Sequence, residues 1–185
     1  MTDAAVMTSR DGLHFRRTEE AFLTSRAAWG HEWYYGDSEL CYGMAQTPSP
    51  TPGAPDEISL YSGVGYRTRA VSCCRWAVRL DGFFSWRCDY TPGRLVTKPL
   101  TFAGDSLFIN FSTSALGGVR IRLLDEAGEP IPGYDSGVHF GDDTDREVAF
   151  EAPLAALAGK PVRMEIAMKD ADLYSFRFHE TVVIR

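Results

Sequence analysis

The residues best suited to chemistry are carboxylates set among aromatic rings near the N-terminus. Glu32 lies between Trp29 and Trp33, and Asp37 and Glu39 follow within a few residues. Aromatic rings stack on the apolar faces of pyranose sugars, while carboxylates accept hydrogen bonds from sugar hydroxyls. Glycoside hydrolysis needs two carboxyl groups, about 5–5.5 Å apart for retention or about 6.5–9.5 Å apart for inversion. The segment predicts a sugar-binding site built from Trp29, Glu32 and Trp33. One alternative is a glycosidase active site in which two of these carboxyl groups are the catalytic pair. The other is that the aromatic rings only cover the edge of a hydrophobic core.

A second aromatic candidate flanks the dipeptide Asp81-Gly82. This dipeptide favours a two-residue hairpin turn, so CRWAVRL and FFSWRC are predicted to pair with Leu80 opposite Phe83. Successive side chains of a strand point to opposite faces, which places Trp76 and Trp86 on different sides. We expect Trp76 to face a core and Trp86 to be exposed as a platform for a sugar or a partner. Contact of Trp86 with the N-terminal segment is the alternative.

Two acidic groups have the oxygen ligands that calcium prefers. Asp142, Asp143 and Asp145 are predicted to form one acidic loop, and Asp170 with Asp172 a second. Hard carboxylate oxygens are suited to Ca²⁺, although this spacing does not match an EF-hand loop. The first group is predicted as a structural calcium site, with solvated turn residues as the alternative. No other cofactor is indicated.

The four cysteines do not form a recognisable redox or zinc motif. Cys41, Cys73, Cys74 and Cys88 include no CxxC pair, and the adjacent Cys73 and Cys74 would point to opposite faces of a strand. We expect these cysteines to be small buried hydrophobic residues, with a disulfide as the alternative.

Composition narrows the classes of partner. The net charge of −6 and the pI of about 5.2 disfavour nucleic acid, because phosphate binding needs a concentrated basic surface. No apolar run approaches the ~20 residues that a membrane helix requires. The N-terminal residues show no basic and then apolar signal pattern, so a cytoplasmic location is the default expectation.

Period-two alternation dominates the second part of the chain. Residues 107–111, 119–124 and 162–169 each place apolar side chains at every second position, which is typical of half-buried antiparallel strands. Residues 153–159 predict a short helix that begins at Pro153 and ends at Gly159. The pair Gly117-Gly118 predicts a turn between two strands. The sequence therefore predicts an all-β protein, an antiparallel two-sheet β-sandwich of jelly-roll type.

The N-terminal part is predicted to be a separate β-hairpin arm. Residues 4–23 have the pattern of a hairpin with Asp11-Gly12 at its turn. The proline-rich residues 47–55 are the best boundary, which gives an N-terminal segment 1–56 and a β-sandwich domain 57–185.

Two stretches resemble a known group of proteins. SRDGLHF at residues 9–15 resembles the outer hairpin of a blade in five-bladed β-propeller glycoside hydrolases of families 32 and 43. Residues 57–178, from EISLYSGVGY through RWAVRLDGFFSW to LYSFRF, resemble the C-terminal portion of bacterial propeller proteins related to those hydrolases. The resemblance implies a last-blade remnant followed by a β-sandwich. The catalytic carboxylates of such enzymes lie on earlier blades, so no catalytic residue is carried over to this chain.

Three interpretations of function follow. The first is a non-catalytic, carbohydrate-associated β-sandwich module that resembles the accessory domain of propeller glycoside hydrolases. The second is a structural or interaction module that forms a homodimer through its N-terminal arm, because an orphan hairpin exposes strand edges. The third is a glycoside hydrolase in its own right.

Overall fold

The computed structural model describes residues 3–24 and 39–180, and they are nearly all β-structure in antiparallel sheets. The prediction of an all-β protein is confirmed. Within these ranges there is no α-helix, and nothing helical that could span a bilayer. The chain divides into two compact units, Met1–Phe83 and Phe84–Arg185.

A two-stranded hairpin begins the first unit. Strands β1 (Met7–Ser9) and β2 (Phe15–Arg17) pair antiparallel, with Ser9 opposite Phe15. The pairing continues outward, because the amides of Phe22 and Leu23 donate to the carbonyl of Ala4. The predicted hairpin at residues 4–23 is thereby confirmed.

The same unit contains a three-stranded sheet in the order β3-β4-β5. These strands are β3 (Ala45–Thr47), β4 (Glu57–Val64) and β5 (Ser72–Arg79). The proline-rich loop connects β3 to its partner β4, with Thr47 opposite Glu57. The boundary predicted at residue 56 therefore separates two paired strands, and as a boundary between domains it stays a prediction.

A polar network ties these three strands together. Ser59 is fully buried, and its hydroxyl receives a hydrogen bond from Arg75 Nε at 2.7 Å and contacts the Thr47 hydroxyl at 2.7 Å. Arg75 also forms an ion pair with Glu57, with Nη2 and Oε2 2.8 Å apart. Buried hydroxyls are costly unless they are hydrogen-bonded, so the network explains how a small sheet accommodates Ser59.

The second unit contains six strands in one sheet and one turn of 3-10 helix. They are β6 (Trp86–Cys88), β7 (Gly93–Val96), β8 (Ser106–Leu124), β9 (Pro130–His139), β10 (Asp142–Glu147), the 3-10 turn Leu154–Leu157, and β11 (Arg163–His179). The short helix predicted at residues 153–159 is confirmed as this single turn.

Two long strands, β8 and β11, shape the sheet. Residues 106–113 of β8 pair with 171–179 of β11, and residues 118–124 pair with 163–169. Strands β10 and β6 flank the first portion, while β9 and β7 flank the second. The turn predicted at Gly117-Gly118 is wrong, because both glycines lie inside β8.

The physical reason is a bend shared by both long strands. Asp170 in β11 has a φ of 42°, and the register shifts there between Lys169 and Ala171. Gly117 at the matching point of β8 lets its backbone pass close to β11, while Gly118 leaves room for Val138 of β9, so the strand bends without ending.

The apolar positions of the alternating segments face the core, as the sequence predicted. Each of the following side chains is at most 6% exposed: Leu107, Ile109, Phe111, Val119, Ile121, Leu123, Met164, Ile166 and Met168. All belong to one hydrophobic cluster, which Leu154 and Leu157 of the 3-10 turn also join. The cluster takes side chains from both portions of the bent sheet.

The predicted pairing around Asp81-Gly82 is wrong. A turn does form, but one residue earlier than predicted, because the Gly82 amide donates to the Arg79 carbonyl at 2.9 Å and so places Leu80 and Asp81 at its centre; Asp81 has a φ of 54°. However, β5 takes β4 as its partner and β6 takes β11. A turn dipeptide reverses the chain locally, whereas partner choice depends on contacts distant in sequence.

Candidate functional site

Trp86 is the most exposed tryptophan in the described ranges. It begins β6, the outer strand of the path β10-β8-β11-β6, and lies opposite Leu173 of β11. Paired residues share a face of the sheet, so Trp86 is on the core side, where Leu173 is 2% exposed. Trp86 is nevertheless 63% exposed, because its ring lies at the edge of the sheet. The predicted exposure of Trp86 is confirmed, while Trp76 is half-buried.

The exposed ring has an energetic consequence. A tryptophan buries 150–250 Å² in a core, so at about 25 cal/mol per Å² this exposure forgoes roughly 3 kcal/mol of hydrophobic stabilisation. A ligand or a partner that covers the ring would recover part of that free energy.

Polar groups line the other face of the same edge. The Ser85 hydroxyl donates to Asp172 Oδ1 at 2.6 Å, and Arg87 lies opposite Asp172 in the register. The side chains of Arg87 and Asp89 are 74% and 84% exposed, with Arg87 Nε 3.7 Å from Asp89 Oδ1. The edge therefore offers one aromatic face together with donors and acceptors, the combination that recognises sugar rings.

The sequence did not reveal the Ser85–Asp172 contact, because the two residues are 87 positions apart. It also assigned Asp170 and Asp172 to an acidic loop. The structure places both inside β11, which corrects that interpretation. Strand alternation could have suggested the correction, since Ala171 and Leu173 around Asp172 are buried.

Trp29, Glu32 and Trp33 lie outside the described residues. Their role in binding sugar stays a prediction. So does the role of Trp86 in binding, because only its exposure has been established.

The acidic group at residues 142–145 lies in strand β10 rather than in a loop. Asp143 Oδ2 accepts a hydrogen bond from Arg146 Nε at 2.9 Å, and Asp145 Oδ1 pairs with Arg177 Nη2 at 2.7 Å. Asp142 pairs with Ser112 in the register of β10 and β8. No group of three or more His, Cys, Asp or Glu within residues 3–24 and 39–180 is placed to hold a metal ion. Calcium binding stays a prediction, and calcium would have to compete with two ion pairs.

Ser9, Asp11 and His14 meet at the hairpin turn but do not form a nucleophilic triad. The Ser9 hydroxyl donates to Asp11 Oδ1 at 3.0 Å, and His14 Nδ1 lies 2.7 Å from Asp11 Oδ2. In a catalytic triad the serine bonds to the histidine, whereas here both bond to the aspartate. Asp11 Oδ1 also accepts the amides of Leu13 and His14 at 2.9 and 2.8 Å. The backbone hydrogen bond from His14 is the largest cause of the strongly lowered pKa of Asp11.

A buried carboxylate lies on the face of the sheet that was expected to be wet. Glu165 is 3% exposed and forms ion pairs with Arg94 and with Arg122. On the same sheet, Arg120 and Asp135 form a two-fold hydrogen-bonded pair, which raises the pKa of Arg120 and lowers that of Asp135. Alternation predicted the face of Glu165 correctly but missed its burial, because the arginines that cover it come from other strands.

A shallow groove opens where β8 bends. Its lining includes Gly117, Gly118 and Ala167, which carry little or no side chain, together with Leu116 and Val138. Leu116 and Val138 are 77% and 65% exposed. None of the described residues of this lining is aromatic, so none of them offers a stacking surface like that of Trp86.

The four cysteines are free. Cys41 and Cys73 are exposed, which contradicts the expectation that they are buried hydrophobic residues. Cys88 packs against the core, and its thiol donates to the carbonyl of Thr91 at 3.0 Å.

Fold and site define an all-β protein of antiparallel sheets with an exposed aromatic at one sheet edge. Comparison of the chain with protein-family models, with curated proteins and with solved structures finds no match.

Proposed function

We propose that this chain is a non-catalytic, carbohydrate-associated module in which Trp86 is the stacking platform for a sugar ring. In this proposal the two portions of the bent six-stranded sheet are the two layers of a β-sandwich. Their side chains belong to one hydrophobic cluster, which supports that arrangement. The chain would descend from, or work beside, a propeller glycosidase, as the resemblance of residues 9–15 and 57–178 implies.

The observation that carries the proposal is the exposure of Trp86 beside a polar edge. An indole ring stacks on the apolar face of a pyranose, and 63% of this residue is accessible. Ser85, Asp172 and Arg87 supply hydroxyl, carboxylate and guanidinium groups at the same two strands. A sugar that overhangs the edge would meet the ring on one side and these polar groups on the other.

The carboxylates of the described residues favour binding over hydrolysis. A glycosidase needs a carboxylic acid whose pKa is raised so that it can donate a proton. Two carboxyl groups of the described residues, Asp11 and Asp135, have their pKa shifted downward, the opposite of what a proton donor needs. Asp143, Asp145 and Glu165 are held in ion pairs with arginines.

A glycan array tests the proposal. The labelled wild-type chain and Trp86→Ala would be applied to an array of neutral and acidic glycans, with Tyr90→Ala as the matched control, since Tyr90 is an exposed aromatic in the same segment. Trp33→Ala would test the predicted N-terminal site. Binding that is lost in Trp86→Ala and retained in Tyr90→Ala is the expected result. An array on which the wild-type chain binds nothing would remove the proposal.

A second function is favoured by two exposed apolar side chains on one face of the N-terminal hairpin. Met7 and Phe15 are 58% and 56% exposed, and the register places them on one face of β1 and β2. We infer that this face is the contact through which the chain would form a homodimer. Light scattering at high concentration should give a dimer that Phe15→Ser converts to a monomer, whereas a strictly monomeric wild-type chain would contradict the idea.

A further inference from the structure

Strands β1 and β2 with their turn, residues 7–17, carry a local excess of positive charge in an acidic protein, and Glu19 and Glu20 follow directly after them. Residues 7–17 contain three arginines and one aspartate, a net charge of +2 against −6 for the whole chain. Arg10 and Arg16 line one open cleft together with Thr8, Ser9, Asp11 and His14. Thr8 and Arg16 are direct partners in the register, so they share a face, while the neighbouring Arg17 points to the opposite face.

The aspartate of the turn does not neutralise these arginines by pairing with them. Asp11 Oδ1 already accepts hydrogen bonds from the Ser9 hydroxyl and the Leu13 and His14 amides, and Oδ2 contacts the His14 ring. Within residues 3–24 and 39–180, neither Arg10 nor Arg16 forms a side-chain hydrogen bond or an ion pair. Both arginines thus line the cleft with guanidinium donors that no other described residue uses.

We propose that this face of the hairpin binds an oxyanion, a sulfate, phosphate or carboxylate group carried by a ligand. Guanidinium groups present paired N–H donors that match two oxygens of such an anion, and the Thr8 hydroxyl adds a donor beside Arg16. His14 lies in the same lining, but its Nδ1 is already taken by Asp11 Oδ2, so the guanidinium groups and the Thr8 hydroxyl are the donors of this site. The site does not include Trp86, so its test is independent of the test of sugar binding at Trp86.

Amide NMR of the full-length chain tests the site. Sodium sulfate, sodium phosphate and sodium glucuronate would be titrated separately, with sodium chloride holding the ionic strength constant. We expect saturable shifts confined to Thr8–Arg16, at least fivefold weaker binding in Arg10→Gln and in Arg16→Gln, and no measurable binding in the double variant. Arg17→Gln, on the opposite face, should stay within twofold of the wild type.

The three anions distinguish the sources of the ligand. A response to sulfate or glucuronate assigns the site to an acidic glycan, and a response to phosphate alone assigns it to a phosphoryl group. The amides of Leu13 and His14, which donate to Asp11, report in each variant whether the turn is intact. The proposal is overturned if no anion produces saturable shifts, if the shifts persist in the double variant, or if Arg17→Gln weakens binding as much as Arg16→Gln.

Discussion

Gly117 lies so close to β11 that a Cβ atom added to it would collide with the carbonyl oxygen of Asp170. The two residues mark the shared bend of the long strands, where Asp170 has its positive φ. Backbone atoms cannot move aside as a flexible side chain can. The bend therefore depends on the absence of a side chain at residue 117.

Gly117→Ala should destabilise the second unit. A clash with backbone must shift one of the long strands, and such overpacking costs about 2–3 kcal/mol. Urea unfolding followed by circular dichroism measures the loss. Gly63→Ala is the matched control, because a Cβ there meets no atom within 4 Å and its φ is not positive. Equal stability of the two variants would show that the bend does not need glycine.

The N-terminal turn should weaken in acid. Because hydrogen bonds to Asp11 lower its pKa, the folded turn favours the carboxylate. This stabilisation is complete above the ordinary pKa of 3.8 and is lost as the pH falls from there toward the lower folded value. The Leu13 and His14 amide resonances should therefore move toward random-coil positions as the pH falls below about 4. In Asp11→Asn they should be displaced already at neutral pH and respond little to acid; wild-type amides that stay fixed would contradict this prediction.

Removing the buried carboxylate should cost more than removing an exposed one. Glu165→Gln removes the buried charge that pairs with Arg94 and Arg122. We therefore expect the free energy of unfolding to fall by about 2 kcal/mol. Asp145→Asn breaks the exposed pair with Arg177 and should cost less than about 1 kcal/mol. Chemical denaturation of both variants gives the comparison. A larger loss for Asp145→Asn would reverse the expected order.

The cysteines should differ in reactivity. Cys41 and Cys73 are exposed, whereas Cys88 packs against the core and donates to two backbone carbonyls. A thiol reagent added to the native chain should modify Cys41 and Cys73 first and Cys88 last. Mass spectrometry of digested samples taken over time locates the modified residues. Early modification of Cys88 in the folded chain would contradict its packing.

The sequence predicted which residues form the core but not how the strands connect. Alternation identified Ile109, Ile121 and Ile166 as buried, because period-two burial is a local property. The sequence predicted residues 107–111 and 119–124 as two separate strands, because the glycine pair between them predicts a turn. Only the contact of Gly117 with β11 shows why the strand continues. The pairing of β6 with β11 was missed for the same reason.

The candidate site was predictable in part. Trp86 was expected to be exposed, and it is, although its strand partner is not the predicted one. The predicted hairpin, with Leu80 opposite Phe83, places Trp86 opposite Ala77 of β5, whereas it lies opposite Leu173 at the edge of another sheet. Its polar neighbour Asp172 comes from a strand distant in sequence, which no local pattern indicates.

One measurement tests the stacking platform most directly. The indole N–H resonance of Trp86, assigned by its loss in Trp86→Phe, would be followed while the chain is titrated with the saccharides that bind on the glycan array. We expect a saturable shift of the Trp86 signal, while the Trp76 indole, which donates to the Ser62 hydroxyl at 2.8 Å, stays in place. A Trp86 signal that does not move at saccharide concentrations that saturate binding would contradict the stacking role of this ring.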